Sequence, residues 1–228
     1  MKALIVADGD LPERAGLDAA WPGWAEEVGL VVAADGGALG AARLGLAIDL
    51  LVGDMDSLPR DGLERLRAVG VEIEQARVDK DESDTELAVR AALARGAQRL
   101  TIVGAFGGRR IDHALANIGL LLLPELAERE AELIDARSRV TAVRAPDRDG
   151  RPVRRALPGR VGDLVSLLPF GIEVRGVTTE GLRYPLRGGT LLAGPARGLS
   201  NVRLRPDAAV VVGDGILLIV ETPATLAR

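Results

Sequence analysis

The chain has 228 residues, a net charge of −4 and a sequence pI near 5.2, with 47% hydrophobic residues but only two Trp, one Tyr and two Phe. An acidic chain with so few rings lacks the clustered cations and the stacking platforms that nucleic-acid binding needs. With no cysteine there is no disulfide, thiolate nucleophile or Cys-ligated metal, and the single histidine, His113, excludes a multi-histidine metal site.

The opening MKALIVADGD reaches an acid too soon for a signal peptide, and no apolar run is long enough to cross a membrane, so a cytoplasmic protein is expected. Apolar runs at 2–7, 30–34, 49–53, 71–78, 99–105 and 131–136 read as strands. Between them, 37–46, 59–70, 84–96 and 112–130 carry helical spacing and helix-ending glycines. Near-continuous apolar strands alternating with helices predict a parallel sheet covered on both faces.

The Pro, Gly and charges of RAPDRDGRP, 144–152, break this rhythm. Beyond it, 164–170, 172–177, 189–194 and 208–221 read as strands, the last as a hairpin about Gly213-Asp214-Gly215, with no helix after residue 152. The expected organisation is an α/β domain over 1–145, with a Rossmann-like parallel sheet, followed by an all-β sandwich or jelly-roll domain over 150–228.

Ligands of an open parallel sheet bind beyond the carboxyl ends of its strands. The residues there are acidic: Asp35 follows one run, Asp54 and Asp56 the next, and Asp79, Asp81 and Asp84 cluster after a third. Carboxylates brought to one rim repel unless a cation sits among them, and Mg²⁺ with substrate phosphates answers that need. Each piece also has a plainer reading. Asp35-Gly36-Gly37 suits a turn, Asp56 or Ser57 a cap for the helix starting near Pro59, and Ser83 with Glu86 a capping box. Lys80 balances charge or reaches a phosphate. The lysines, Lys2 and Lys80, stand outside any Gly-Lys-Ser/Thr context, so no Walker A loop exists.

After the next strand, Gly104, Gly107 and Gly108 can bring backbone amides to an anion, with Arg109 and Arg110 beside them to pair with phosphate oxygens. Asp112 lies near the start of the following helix. His113 and Asn117, four residues apart, share one face of it. No Gly-x-Ser-x-Gly turn supplies a nucleophilic serine.

The ordered motifs ADGGA, GDMDS, DKDESDTELA, GAFGGRRIDHALAN, SLLPFG, GVTTEGLRYPL and GLSN, from about residue 33 to 202, resemble the thiamine pyrophosphokinase (thiamine diphosphokinase) family. The resemblance implies a homodimeric enzyme that transfers the pyrophosphoryl group of ATP to the hydroxyl of thiamine, releasing AMP. It implies Mg²⁺ held by Asp54, Asp56, Asp79, Asp81 and Asp84 with Asp35 nearby. Catalytic roles fall to Asp81, Asp84, Arg110 and Asp112, the last orienting or deprotonating the hydroxyl. The phosphates fall to Lys80, Gly104, Gly108 and Arg109 or Arg110, with His113 and Asn117 beside them, and thiamine to Thr179, Ser200 and Asn201. Two features depart from the pattern: GGRRIDH is one residue longer than the usual loop, and Val202 stands where a polar residue is expected. No Trp occurs in the C-terminal half, which leaves Phe170 or Tyr184 to stack on the pyrimidine.

Three other readings use some of the same residues. Asp54-Met55-Asp56 suits a metal-dependent nucleotide-sugar glycosyltransferase, Asp54 as nucleophile suits an aspartyl phosphatase, and a thiamine or nucleotide sensor would keep the ligand sites without turnover.

Overall fold

The structure, a computed structural model, describes residues 1–108 and 110–226. The chain divides into two compact units, Met1–Ala136 and Arg137–Arg228.

The first unit runs β1 (Lys2–Val6), α1 (Arg14–Ala20), β2 (Val28–Ala34), α2 (Gly37–Arg43), β3 (Leu50–Gly53), α3 (Arg60–Ala68), β4 (Glu72–Gln75), α4 (Asp84–Ala94), β5 (Arg99–Val103), α5 (Ile111–Leu120) and β6 (Glu130–Ile134). Its strands lie in the order β6-β5-β1-β2-β3-β4, every adjacent pair parallel. The central strands are apolar along their length because both faces are covered: Leu4, Ile5, Val32, Leu50, Leu51 and Ile102 are all buried. From β1 the sheet grows one way through β2, β3 and β4, then β5 returns to the other side of β1. That reversal opens a crevice at the carboxyl ends of β1 and β5.

All six expected strands are present, while α1 was not anticipated. The expected helix over 112–130 ends at Leu120, and Pro124 begins a separate 3₁₀ turn at Pro124–Leu126, since a proline cannot continue an α-helix. Ser83 caps α4 by accepting a hydrogen bond from Glu86 N at 3.1 Å. Glu86 turns its carboxylate to Arg90, 2.9 Å away, and not back to the cap. Pro59 stands at the N-cap of helix α3, which has no side-chain cap, so neither Asp56 nor Ser57 serves that purpose.

The second unit contains β7 (Arg139–Ala145), β8 (Val153–Pro158), β9 (Leu164–Pro169), β10 (Glu173–Glu180), β11 (Gly189–Leu192), β12 (Asn201–Val202), β13 (Asp207–Val212) and β14 (Gly215–Thr222). Its strands form two antiparallel groups, β12-β9-β14-β7 and β11-β10-β13-β8. Both groups bury side chains in one core, with Val143, Val165 and Leu217 from the first and Val174, Leu191 and Val210 from the second. Among the described residues its only helical turn is the 3₁₀ stretch Ala224–Leu226.

Two expectations change here. The segment 208–221 is not a hairpin: β13 pairs with β8 and β10, whereas β14 pairs with β7 and β9. Both strands are apolar because both face the shared core, and the chain crosses from one group to the other at Gly213-Asp214-Gly215. The second unit also begins before residue 145, because β7 pairs with β14 from Arg139 to Ala145. Outward-facing arginines interrupt the apolar pattern of β7 and β8 and hid both strands.

One arginine points inward. Arg203 is 1% exposed and bonds Asp163 at 3.1 Å, the Leu157 carbonyl at 3.2 Å, and Glu221. Glu221 also accepts from Arg139 at 2.8 Å. The charges are thus paired and hydrogen-bonded, which burial requires.

Candidate active site

The crevice at the strand ends is a cavity of about 590 Å³ within the first unit. Asp8 and Gly9 enter it after β1, Asp35 after β2, Asp54 and Asp56 after β3, Asp84 at the start of α4, and Gly104, Ala105, Gly107 and Gly108 after β5. The exits of β1 and β5 are laced together, with Gly9 N donating to Gly104 O at 2.8 Å and Asp10 N to Phe106 O at 3.0 Å. Gly104 has φ +70°, and a Cβ there would stand 2.4 Å from the Ala7 carbonyl oxygen. Only glycine fits that approach.

Asp35, Asp54 and Asp84 converge: one carboxylate oxygen from each lies within 4.8 Å of the others. Asp35 is 5% exposed, adopts φ +43°, and its Oδ1 is buried without a hydrogen-bond partner. Met55 also has positive φ, at +68°, in the turn where Asp56 N donates to Asp54 Oδ1 at 3.2 Å. Such strained backbone persists where the surroundings enforce it, and it clusters at functional sites. Burial holds Asp35 above the ordinary carboxylate range, opposed by the Ser57 hydroxyl and assisted by Asp84, Asp56 and Asp54. Burial likewise raises Asp8, with Arg43 opposing and Asp56 and Asp84 adding to it.

Lys80 sits against this triplet, its Nζ 2.8 Å from Asp84 Oδ1 and 3.7 Å from Asp54 Oδ2. Burial works against its charge, but the hydrogen bond to Asp84 and the charges of Asp84, Asp54 and Asp35 outweigh that and raise its pKa. Its neighbours Asp79 and Asp81 face solvent and do not line the cavity. Of the five carboxylates expected to hold metal, the structure therefore brings Asp54 and Asp84 together with Asp35, keeps Asp56 on the wall, and leaves Asp79 and Asp81 outside.

On the glycine-rich side, Gly104, Gly108, Arg110, His113 and Asn117 line the cavity, and Arg109 lies outside the described residues. Asn117 is buried and donates from Nδ2 to the Ala105 carbonyl at 2.9 Å, so it positions the turn from behind. Asp112 does not line the cavity. It is exposed and paired with Arg110, whose hydrogen bond holds its pKa below the ordinary range, and this makes it a poor proton acceptor.

In the second unit, Thr179 and Asn201 are buried with their polar atoms engaged. Thr179 Oγ1 accepts from Leu186 N at 2.9 Å. Asn201 Oδ1 accepts from Tyr184 N at 2.9 Å while its Nδ2 donates to Tyr184 O at 2.7 Å. They hold the segment 184–186, which leaves Tyr184 and Ser200 exposed, Ser200 at φ +55°. The residue missed in reading the sequence was Asp8. It too follows an apolar strand, in ALIVAD, and the rule that found Asp35 and Asp54 selects it as well.

The thiamin pyrophosphokinase catalytic-domain model matches residues 23–133, and the thiamin pyrophosphokinase vitamin B1 binding domain model matches residues 154–217. The thiamine pyrophosphokinase of Bacillus subtilis (strain 168) is 24% identical over 200 residues, covering 88% of this chain and 90% of its own length. The solved structure of the Bacillus subtilis thiamine pyrophosphokinase superposes with a TM-score of 0.81 at 25% identity, over 97% of this chain and 99% of that one. The thiamin pyrophosphokinase of Geobacillus thermodenitrificans gives 0.79 at 26% identity, over 100% of both chains. The Candida albicans thiamin pyrophosphokinase, 16% identical with a TM-score of 0.74 over 97% of this chain and 89% of that one, shares the fold.

Proposed function

The chain belongs to the thiamin pyrophosphokinase family, and from that premise we propose that the strand-end cavity binds ATP with Mg²⁺ and that the second unit binds thiamine. The family's reaction joins the thiamine hydroxyl oxygen to the β-phosphorus of ATP and breaks the bridge to the α-phosphate, giving thiamine diphosphate and AMP. We read the first unit as a Rossmann-like nucleotide-binding domain and the second as a β-sandwich.

The observation that carries the assignment is the convergence of Asp35, Asp54 and Asp84 at the reversal of a parallel sheet. The donors are hard oxygens, one of them buried with no partner, and among cysteine and histidine the chain offers only the cavity's His113. That set fits Mg²⁺, held by Asp35, Asp54 and Asp84 with Asp56 on the wall. Mg²⁺ bound there would supply neutralisation of the polyphosphate charge.

The chain's own groups do the positioning. Backbone at Gly104 and Gly108 approaches the phosphates, and the Arg110 guanidinium, paired with Asp112 here, offers donors once it turns from that partner. Asn117 keeps the turn in place through the Ala105 carbonyl. Asp112, exposed and held below the ordinary carboxylate range by Arg110, is poorly suited to accept the hydroxyl proton. Thr179 and Asn201 order the segment that presents Tyr184, and Ser200 stands exposed beside it. We extend the reading to a cytoplasmic homodimer, as the resemblance implies.

The test is incubation with ATP, Mg²⁺ and thiamine followed by separation of the nucleotides. AMP formed only with thiamine present is the expected result. ADP in its place, or AMP without thiamine, would overturn the assignment.

A further inference from the structure

We propose that Lys80 is a tethered counter-ion of the acidic triplet, occupying its mouth in the metal-free protein and giving way when a divalent cation enters, so that it sets the cation's apparent affinity. This rests on the reading of Asp35, Asp54 and Asp84 as the metal site.

The loop between β4 and α4 could have turned either sign of charge inward. It turns Lys80 in, with the side chain 14% exposed, and leaves Asp79 and Asp81 in solvent. The ammonium touches two of the three converging carboxylates, at 2.8 and 3.7 Å. Asp35, the third member of the triplet, is not paired with Lys80, and its Oδ1 is buried with no hydrogen-bond partner. One mobile positive charge against three carboxylates is incomplete compensation, and it leaves the site a preference for a more highly charged ion.

A divalent cation and an ammonium cannot share the same oxygens, because like charges a few ångströms apart repel strongly in a partly buried site. Entry of the ion therefore moves Lys80 outward. The same movement frees the flanking Asp79 and Asp81 to turn toward the cavity. The loop is suited to it, since it has no regular structure between Gln75 and Asp84. Its base is held by Ala76 N donating to Gly53 O at 2.8 Å, and its other end by the Ser83 cap.

The experiment titrates Mn²⁺, as the divalent probe, into the nucleotide-free full chain. It compares wild type, Lys80→Met, Lys80→Gln, the charge-retaining Lys80→Arg and Asp54→Asn, with binding read by calorimetry and melting followed in EDTA. The expected result is that Lys80→Met and Lys80→Gln bind Mn²⁺ about tenfold more tightly than wild type, Lys80→Arg stays close to wild type, and both neutral variants melt lower in EDTA. A neutral variant that binds Mn²⁺ equally or more weakly overturns the proposal. If it also loses ATP affinity, Lys80 is a phosphate ligand and the metal reading stands. Failure of wild type to bind Mn²⁺, with Asp54→Asn indistinguishable from it, overturns the metal reading and the proposal together.

Discussion

Asn117 reaches from the buried face of α5 to the Ala105 carbonyl, 2.9 Å away, and so ties the helix to the turn that carries Gly104, Gly107 and Gly108. Asn117→Ala removes that side-chain donor and should cost about 1–3 kcal/mol in a denaturant titration. The KM for ATP should rise while that for thiamine holds. An unchanged KM for ATP would show that the turn keeps its shape without Asn117.

Gly36 and Gly37 are adjacent but constrained differently. A Cβ at Gly37 would stand 2.0 Å from the Val6 carbonyl oxygen, which is backbone in a central strand. Gly37→Ala should therefore destabilise by about 3 kcal/mol or more. A Cβ at Gly36 would stand 2.3 Å from Asp8 Oδ1, and a side chain can yield. Gly36→Ala should fold and lose activity, through displacement of Asp8. Melting curves and turnover measured side by side check the contrast, and equal destabilisation of the two variants would refute it.

Asp35 carries a pKa raised by burial, so the folded state binds its proton more tightly than the unfolded state. Stability from this group is present below the unfolded value of about 3.9 and is lost as pH rises through the window between that value and the raised one. In EDTA, Asp35→Asn should melt above wild type at pH 7, with the difference shrinking as pH falls through that window and nearly gone below about 4. Mg²⁺ should stabilise wild type and leave Asp35→Asn nearly unmoved. A difference between the two that does not vary with pH would exclude Asp35 as its source.

Arg203 lies between Asp163 and Glu221 with 1% exposure. Arg203→Met strands buried carboxylates and should cost about 3–5 kcal/mol, read as a fall in the denaturant midpoint. Arg203→Lys keeps the charge but not the fork of donors, and should recover only part of the loss. A loss under about 1 kcal/mol for Arg203→Met would mean the network is neutral to stability.

Much of this was legible in the chain. The strand runs such as KALIVA and DLLVG, and the acids that follow them, located the sheet and its functional rim, because an apolar run ended by a carboxylate carries both the core and the site in a few residues. Ser83 announced its helix by local chemistry alone. Strands β7 and β8 escaped notice, since outward arginines broke their pattern, and β13 and β14 looked like a hairpin because period and turn residues are local while the pairing partner is not.

Composition alone excluded cysteine and multi-histidine chemistry, and the order of the motifs pointed to the family, since both are properties of which residues occur and in what order. Only the tertiary structure decided which members of the run Asp79 to Asp84 turn toward the acidic triplet. Lys80 and Asp84 turn in and Asp79 and Asp81 turn out. Adjacent side chains in a loop face different directions, and although Lys80 pairs with Asp84 only four residues on, both meet Asp54 from the turn after β3, a contact beyond the reach of any local pattern.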